Sequence, residues 1–350
     1  MEKQFDMLGF GEAMVRFSPM HNLRLEQASE LRLAIAAAEL NVAVNVSHLG
    51  LKTKWVSKMV DTWSGHYVIN NGRAHGVDMS DVHLVPFDGR GNVRNGLCFV
   101  EIGVGPRPNR QIYDRGHSAI NTVEEGEFDW KAILSQTRWF HNSGITTALS
   151  DVAIREVITS MKTAKELGVT NSFDLNFRST LWGAEAAQKV MKDVMPYVDV
   201  IIGNEEDFEK MLGIKADHTS DSYSSLDPES YRSVAEKVRA EYPNVRVVGT
   251  TLRDAKTGLL NDWQTVMLYE GEFYKSRKFE NLEIVDRTGG GDSFASAIIY
   301  SMLTDQDPQY AIDLAGGYSA LCHGYFGDWN WATREEGERA GKGGAARVIR

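Results

Sequence analysis

Three consecutive glycines, Gly289, Gly290 and Gly291, stand directly before Asp292 in the stretch "DRTGGGDSF", and the residues that follow, "ASAIIYSMLTD", read as a helix. Glycines let successive backbone N–H groups turn toward one point, and a helix N-terminus adds about half a positive charge there. Such a place holds an anion. An aspartate on the first turn lies in the same field, which favours its ionised form and readies it to accept a proton. The pairing suits phosphoryl transfer: the amides stabilise charge building on phosphate oxygens while the carboxylate takes the proton of an attacking hydroxyl. A glycine-rich turn with Asp292 as a plain N-terminal cap satisfies the same residues.

Other chemical signatures are weak or missing. No G-x-x-x-x-G-K-[ST] loop occurs, and "GKGGAAR" carries Lys342 without that spacing. "GFGEAM" at Gly9 lacks the third glycine and the partner acid of a dinucleotide fingerprint, which weighs against a dinucleotide-dependent oxidoreductase. There is no H-E-x-x-H, no G-x-S-x-G and no cysteine-rich metal set, and the histidines are scattered. Cys98 and Cys322 are far apart and read as two reduced thiols.

The elements that must position Asp292 come from a chain of 350 residues, 42% hydrophobic and 25% charged, which can bury a large core as one α/β domain with an embellishment. Its formal charge of −10 disfavours a nucleic-acid partner, although a small phosphate ligand needs only local positive charge. The start, "MEKQFDMLGFGEA", has no apolar signal core, and no run of about 18 apolar residues exists. The expectation is a cytoplasmic protein with no membrane partner.

Along the chain, "MLGFG" from Met7 and "KWVSKMV" from Lys54 read as strands. Between them "ASELRLAIAAAELNVAVNVSHLG" brings helical spacing, with Leu40, Val44 and His48 repeating and Gly50 as the stop. Leu84 to Ser118 reads as a pair of strands joined by a Gly/Pro turn. From Trp139, strands and helices alternate: "WFHNSGI", "VTNSFDLN", "VDVIIGN" and "VRVVGTTL" are strands, with helices between, the last of them from Pro228 to Tyr242 after a polar loop at 216–226. A hairpin around Glu270-Gly271 follows, then two helices, one from the glycine run and one from Asp307 to about Cys322. This pattern predicts a doubly wound, mostly parallel sheet with helices on both faces, plus a small β-strand lid from about 12–35 and 84–118. Ligands bind such sheets at the carboxyl ends of the strands, here 142–147, 174–178, 204–207 and 250–253.

Several of these stretches carry a resemblance. "DRTGGGDSFASA" looks like the D-T-x-G-A-G-D signature of ribokinase-like (PfkB-type) sugar kinases, and "AAAELNVAVNVSHLG" resembles their N-terminal G-G-x-x-x-N-x-A signature. "FHNSGITTALS", "FDLNFRSTLW" and "IIGNEEDF" are similar to segments of 2-keto-3-deoxygluconate kinases, in the same order from Gly9 to about Asp328. The resemblance implies ATP and Mg²⁺ as cofactors and a sugar or sugar acid as substrate. It makes Asp292 the catalytic base and Gly289, Gly290 and Gly291 the anion hole. Asn204 to Asp207 looks like the family's N-x-x-E element with aspartate in the last place, and the shorter Asp207 side chain would act on the metal through water. ATP would be held by Asn204, Thr250, Arg253, Gly258, Gly289 and Gly291. Arg178 matches the arginine that reads the acid group, a task suited to a paired donor; Arg115, Tyr113, Ala37, Asn41 and Asp328 would complete the sugar pocket. The resemblance further implies a homo-oligomer built through the lid.

The sequence departs from the family at Ala36 and Ala37, where a Gly-Gly pair lets backbone approach the sugar, and at Cys98 and Ile112, where related lids carry aromatics. These departures bear on the substrate. 2-Keto-3-deoxygluconate is the first expectation, a fructokinase or another neutral-sugar kinase the alternative, and a sugar- or nucleotide-binding regulator without turnover the alternative from another class.

Overall fold

In the computed structural model, which describes residues 3–215 and 228–344, the apolar runs from Met7, Lys54, Trp139, Val169, Val198 and Val245 become strands of one sheet covered on both sides. Strands β1 (Phe5–Phe10), β2 (Met14–Pro19), β3 (Leu31–Ala36), β4 (Thr53–Asp61) and β5 (Val77–Asp78) come first. β6 (Val82–Pro86), β7 (Gly96–Glu101) and β8 (Arg110–Asp114) lead to β9 (Thr137–Ser143), β10 (Thr170–Asp174) and β11 (Val200–Gly203). β12 (Val247–Thr257), β13 (Leu260–Tyr269), β14 (Glu272–Lys275) and β15 (Phe279–Glu283) follow. The helices begin with α1 (Ala38–His48), α2 (Trp63–Ala74), α3 (Trp130–Ser135), α4 (Gly144–Thr147) and α5 (Asp151–Glu166). They continue with α6 (Ala184–Val194), α7 (Glu205–Leu212), α8 (Pro228–Glu241), α9 (Gly290–Leu303), α10 (Pro308–Cys322) and α11 (Arg334–Gly341). The polar loop expected at 216–226 lies outside the described residues.

The main sheet runs β14-β13-β12-β11-β10-β9-β1-β4-β5, with β6 beside β4 and β15 beside β13. From β12 to β5 every neighbouring pair is parallel. Successive residues of one strand feed opposite cores. Met7, Val200, Ile202 and Val247 join a cluster with α1, α9 and α10, whereas Leu8, Ile201 and Val248 join one with α5, α6, α7 and α8. Burial on both faces is why these strands read as continuous apolar runs. β4 and β5 extend the sheet on one side of β1, and the chain then returns to lay β9 on its other side. That reversal opens a crevice at the carboxyl ends of β1 and β9.

A second sheet, β3-β2-β7-β8, draws its strands from two separate segments. The expected lid begins too early at Leu84, because Val82–Pro86 pairs with β4 in the main sheet. The helical reading of the stretch before Ala37 also fails: Leu31–Ala36 pairs with β2 as a strand, and α1 starts only at Ala38. The hairpin at Glu270-Gly271 forms as expected, both residues taking positive φ (48° and 98°), which suits the twist of the strands it joins. The chain ends in three helices among the described residues rather than two, α11 being the addition. No helix among the described residues is long and apolar enough to cross a membrane.

Candidate active site

A cavity of about 570 Å³ opens at the carboxyl ends of the parallel strands. Glu12, just past β1, lines it with Asp174 at the end of β10, Asn176 and Arg178 after it, Asn204 and Asp207 after β11, and Thr251 and Arg253 on β12. Met14, Gln111 and Tyr113 of the small sheet form one wall, and Gly289 to Asp292 at the start of α9 form another.

The three glycines are not equivalent. Gly289 is the N-cap of α9 with φ 82°, and a Cβ there would collide with the Asp328 carbonyl oxygen. A Cβ on Gly290 would sit 2.6 Å from the His323 ring. On Gly291 it would meet nothing within 4 Å, so packing does not require that glycine. Its bare backbone instead faces open space, as a close ligand needs.

Asp292 follows in the first turn, and its Oδ2 accepts a hydrogen bond from Asn41 Nδ2 at 2.8 Å. Asn41 is fixed in turn by Trp329, whose Nε1 donates to Asn41 Oδ1 at 2.9 Å. Desolvation pushes the Asp292 carboxyl up to about 7, Asn41 and Arg178 oppose that shift, and Asp328 and Glu39 add to it. The helix field therefore does not hold Asp292 at ordinary acidity, as the sequence reading expects, because loss of water outweighs it. A carboxylate poised near neutrality is suited to general-base work.

Behind the glycine run lies a buried network that the sequence did not reveal. Arg16 of β2 is completely buried; its Nη1 donates to Asp328 Oδ1 at 2.6 Å and to Thr288 Oγ1 at 2.7 Å, and its Nη2 pairs with Asp286. Asp286 also accepts from the Thr288 and Gly327 amides. Arg16 thus ties the small sheet to both loops that shape the mouth of α9. Asp328, expected at the sugar, lines the cavity, but one of its oxygens is committed to this arginine.

Other expected residues divide. Arg178 lines the cavity, as do Tyr113, Arg115, Ala37, Asn204 and Arg253. The Arg115 guanidinium lies over the Tyr113 ring at 4.6 Å. Thr250 is buried and absent from the cavity wall; strand alternation turns Thr251 inward instead. Gly258 is also absent from it, because the β12–β13 turn packs on the β7–β8 turn, where its amide donates to Gly105 O at 3.0 Å. Asp207 is buried in a capping box: Oδ2 accepts from Asn204 N and Oδ1 from Phe177 N, each at 2.9 Å. Its carboxylate shapes the loop first. Ala36, Ala37 and Ala38 all line the cavity, whereas Cys98 and Ile112 do not. Glu39 of α1 is buried beside this region; desolvation raises it to about 7 although Ser143 and Thr146 donate to it.

Residues 6–332 match the model of the pfkB family carbohydrate kinases, and the chain belongs to that family. It is an ATP-dependent carbohydrate kinase. Over 345 residues it is 31% identical to the 2-dehydro-3-deoxygalactonokinase of Haloferax volcanii, covering 99% of each chain. The 2-dehydro-3-deoxygluconokinase of Thermoproteus tenax is 27% identical across 93% of this chain and 91% of its own. The crystal structure of 2-dehydro-3-deoxygluconokinase from Thermotoga maritima superposes with a TM-score of 0.90 at 38% identity, over 97% of this chain and 100% of that one. The fold is thus ribokinase-like.

The contrast between the glycines gives a direct test. Gly289→Ala combines a strained φ with a backbone collision and is expected to cost about 1–3 kcal/mol in urea unfolding. Gly291→Ala is expected to unfold within about 0.5 kcal/mol of the parent, yet to lose on the order of 10-fold or more in kcat/KM for ATP. A Gly291→Ala enzyme with unchanged ATP kinetics contradicts a ligand at that amide.

Proposed function

We propose that this kinase transfers the γ-phosphoryl group of ATP to the terminal hydroxyl of 2-keto-3-deoxygluconate (2-dehydro-3-deoxygluconate). The observation that carries this reading is Arg178. It stands in the cavity with no ion pair among the described residues; its Nη1 donates to the Phe177 carbonyl at 2.9 Å, and its guanidinium also lies against the Tyr113 hydroxyl. A guanidinium with unspent donors in a mostly acidic pocket fits a carboxylate, which it can hold with two parallel bonds. The names of the Thermotoga maritima and Thermoproteus tenax relatives support the gluco acid, and that of the Haloferax volcanii relative supports its galacto counterpart as a second reading.

In this reading Asp292 accepts the proton of the attacking hydroxyl, and the amides at Gly289, Gly290 and Gly291 stabilise charge on the transferred group. Asn204 and Arg253 lie toward the triphosphate. The small sheet shields the reacting atoms from water, limiting wasteful hydrolysis. The donor set also fits Mg²⁺ carried on the phosphates. Asp174 is raised well above its ordinary range by burial and then by the charges of Asp207 and Asp292, so added positive charge there is favourable. Among the described residues no group of three or more His, Cys, Asp or Glu is placed to enclose a metal. Asp174 and Asp207 would therefore reach the ion through water, and the ion would neutralise phosphate charge.

Arg178→Ala is expected to cut kcat/KM for the keto-deoxy acid by about 10²–10³-fold, since a charge-assisted pair is lost. A neutral hexose assayed in parallel should lose less than about 10-fold. Equal losses on both substrates would sink the carboxylate assignment.

A further inference from the structure

Among the described residues, Glu12 and Arg115 form a charged pair in the cavity that keeps hydrogen-bonding capacity unspent. Glu12 stands at the carboxyl end of β1, at the sheet's point of reversal, with its side chain only 3% exposed. Among the described residues neither of its carboxylate oxygens makes a well-directed hydrogen bond, although the Ser118 hydroxyl lies near enough to favour the charged form, and Arg115 Nε and Nη1 make none either. Arg115 Nη1 lies 3.3 Å from Glu12 Oε2, so the charges offset each other without a well-directed bond between them. Both residues line the cavity. The site around them is fixed: a Cβ on Gly96 would stand 3.2 Å from Glu12 Oε1, and Arg115 rests on the Tyr113 ring.

A buried carboxylate and guanidinium in this state call for a ligand that both donates and accepts. Neighbouring hydroxyl groups do so: two O–H groups can donate to the two oxygens of one carboxylate while their own oxygens accept from the arginine. A keto-deoxy sugar acid with its terminal hydroxyl at Asp292 and its carboxylate at Arg178 carries one such pair, on C4 and C5. We propose that Glu12, oriented by Arg115, reads this hydroxyl pair and sets the enzyme's choice between C4 epimers, the difference that separates gluco from galacto substrates.

This inference rests on the sugar-acid reading, and the experiment separates the two. The parent and Glu12→Gln are compared by ADP release on both C4-epimeric 2-keto-3-deoxy acids, and on fructose and tagatose, which also differ only at C4. The parent is expected to prefer one member of each pair it turns over. Glu12→Gln should shrink that preference in kcat/KM by about 10-fold or more, chiefly by losing the favoured epimer. A structural role predicts equal losses on both epimers, and that result overturns the proposal; so does a parent with no epimer preference. Turnover of only the neutral pair overturns the acid reading, while the fructose–tagatose ratio still decides the role of Glu12. Glu12→Asp keeps the charge beside Arg115 but withdraws it by one methylene. It serves as the second variant should Glu12→Gln fail to fold, and the same loss of preference is expected from it.

Discussion

Asparagine at position 292 leaves a folded protein whose kcat falls by about 10²–10⁴-fold, the usual worth of a positioned general base. The parent's kcat/KM should show an acidic limb with its midpoint near 7, where desolvation places the Asp292 carboxyl. Stability should move the other way. The folded-state pKa of about 7 lies above the ordinary aspartate value of 3.8, so between these values the folded state binds more protons than the unfolded one. Stability contributed by this group is therefore present below about pH 4 and lost as pH rises to 7. Asp292→Asn removes that cost, and its stability relative to the parent should rise between pH 5 and pH 8, by roughly 1–4 kcal/mol. Urea unfolding at the two pH values checks this. A parent-like kcat in the folded variant contradicts the base assignment.

The second large effect belongs to Arg16, which does not line the cavity but holds Thr288 and Asp328 of its wall. Arg16→Met strands Asp286 and Asp328 without their shared cation in a buried site, and breaking such a pair from one side costs about 3–5 kcal/mol. Burial already raises the Asp328 carboxyl, and Arg16 is the first group that offsets this. Adding Asp328→Asn to Arg16→Met should recover part of the loss, since one uncompensated charge is gone. Turnover should fall as well, because Arg16 braces Thr288, directly before the glycine run. A loss below about 1 kcal/mol in denaturant unfolding, near the worth of an exposed ion pair, contradicts this account.

These two residues also show what the sequence made legible. Asp292 and its glycines are contiguous, so their chemistry could be read from one stretch. Arg178, Asn204 and Arg253 were readable because each ends an apolar run, where α/β sheets gather ligands. Arg16 was not, for its partners Asp286 and Asp328 lie 270 and 312 residues away, and a lone arginine in "MVRFSP" looks like a solvated strand face. Glu12 was hidden for the same reason. Thr251 rather than the expected Thr250 faces the cavity, since local composition does not fix the phase of a strand buried on both faces. The neutral-range acidity of Asp292 arises from tertiary burial, which no local pattern carries. Helix α11 buries only Gly337 and Gly341, so apolar spacing gave no sign of it. The capping box of Thr333 and Glu336 was the available signal.

As proposed above, the chain acts on keto-deoxy sugar acids. Coupled ADP release over a panel of 2-keto-3-deoxy acids, aldonic acids and neutral hexoses at saturating ATP checks this. The highest kcat/KM is expected on a 2-keto-3-deoxy acid, with fructose lower by about 10²-fold or more. Fructose or another neutral sugar turned over as well as the acids would contradict it.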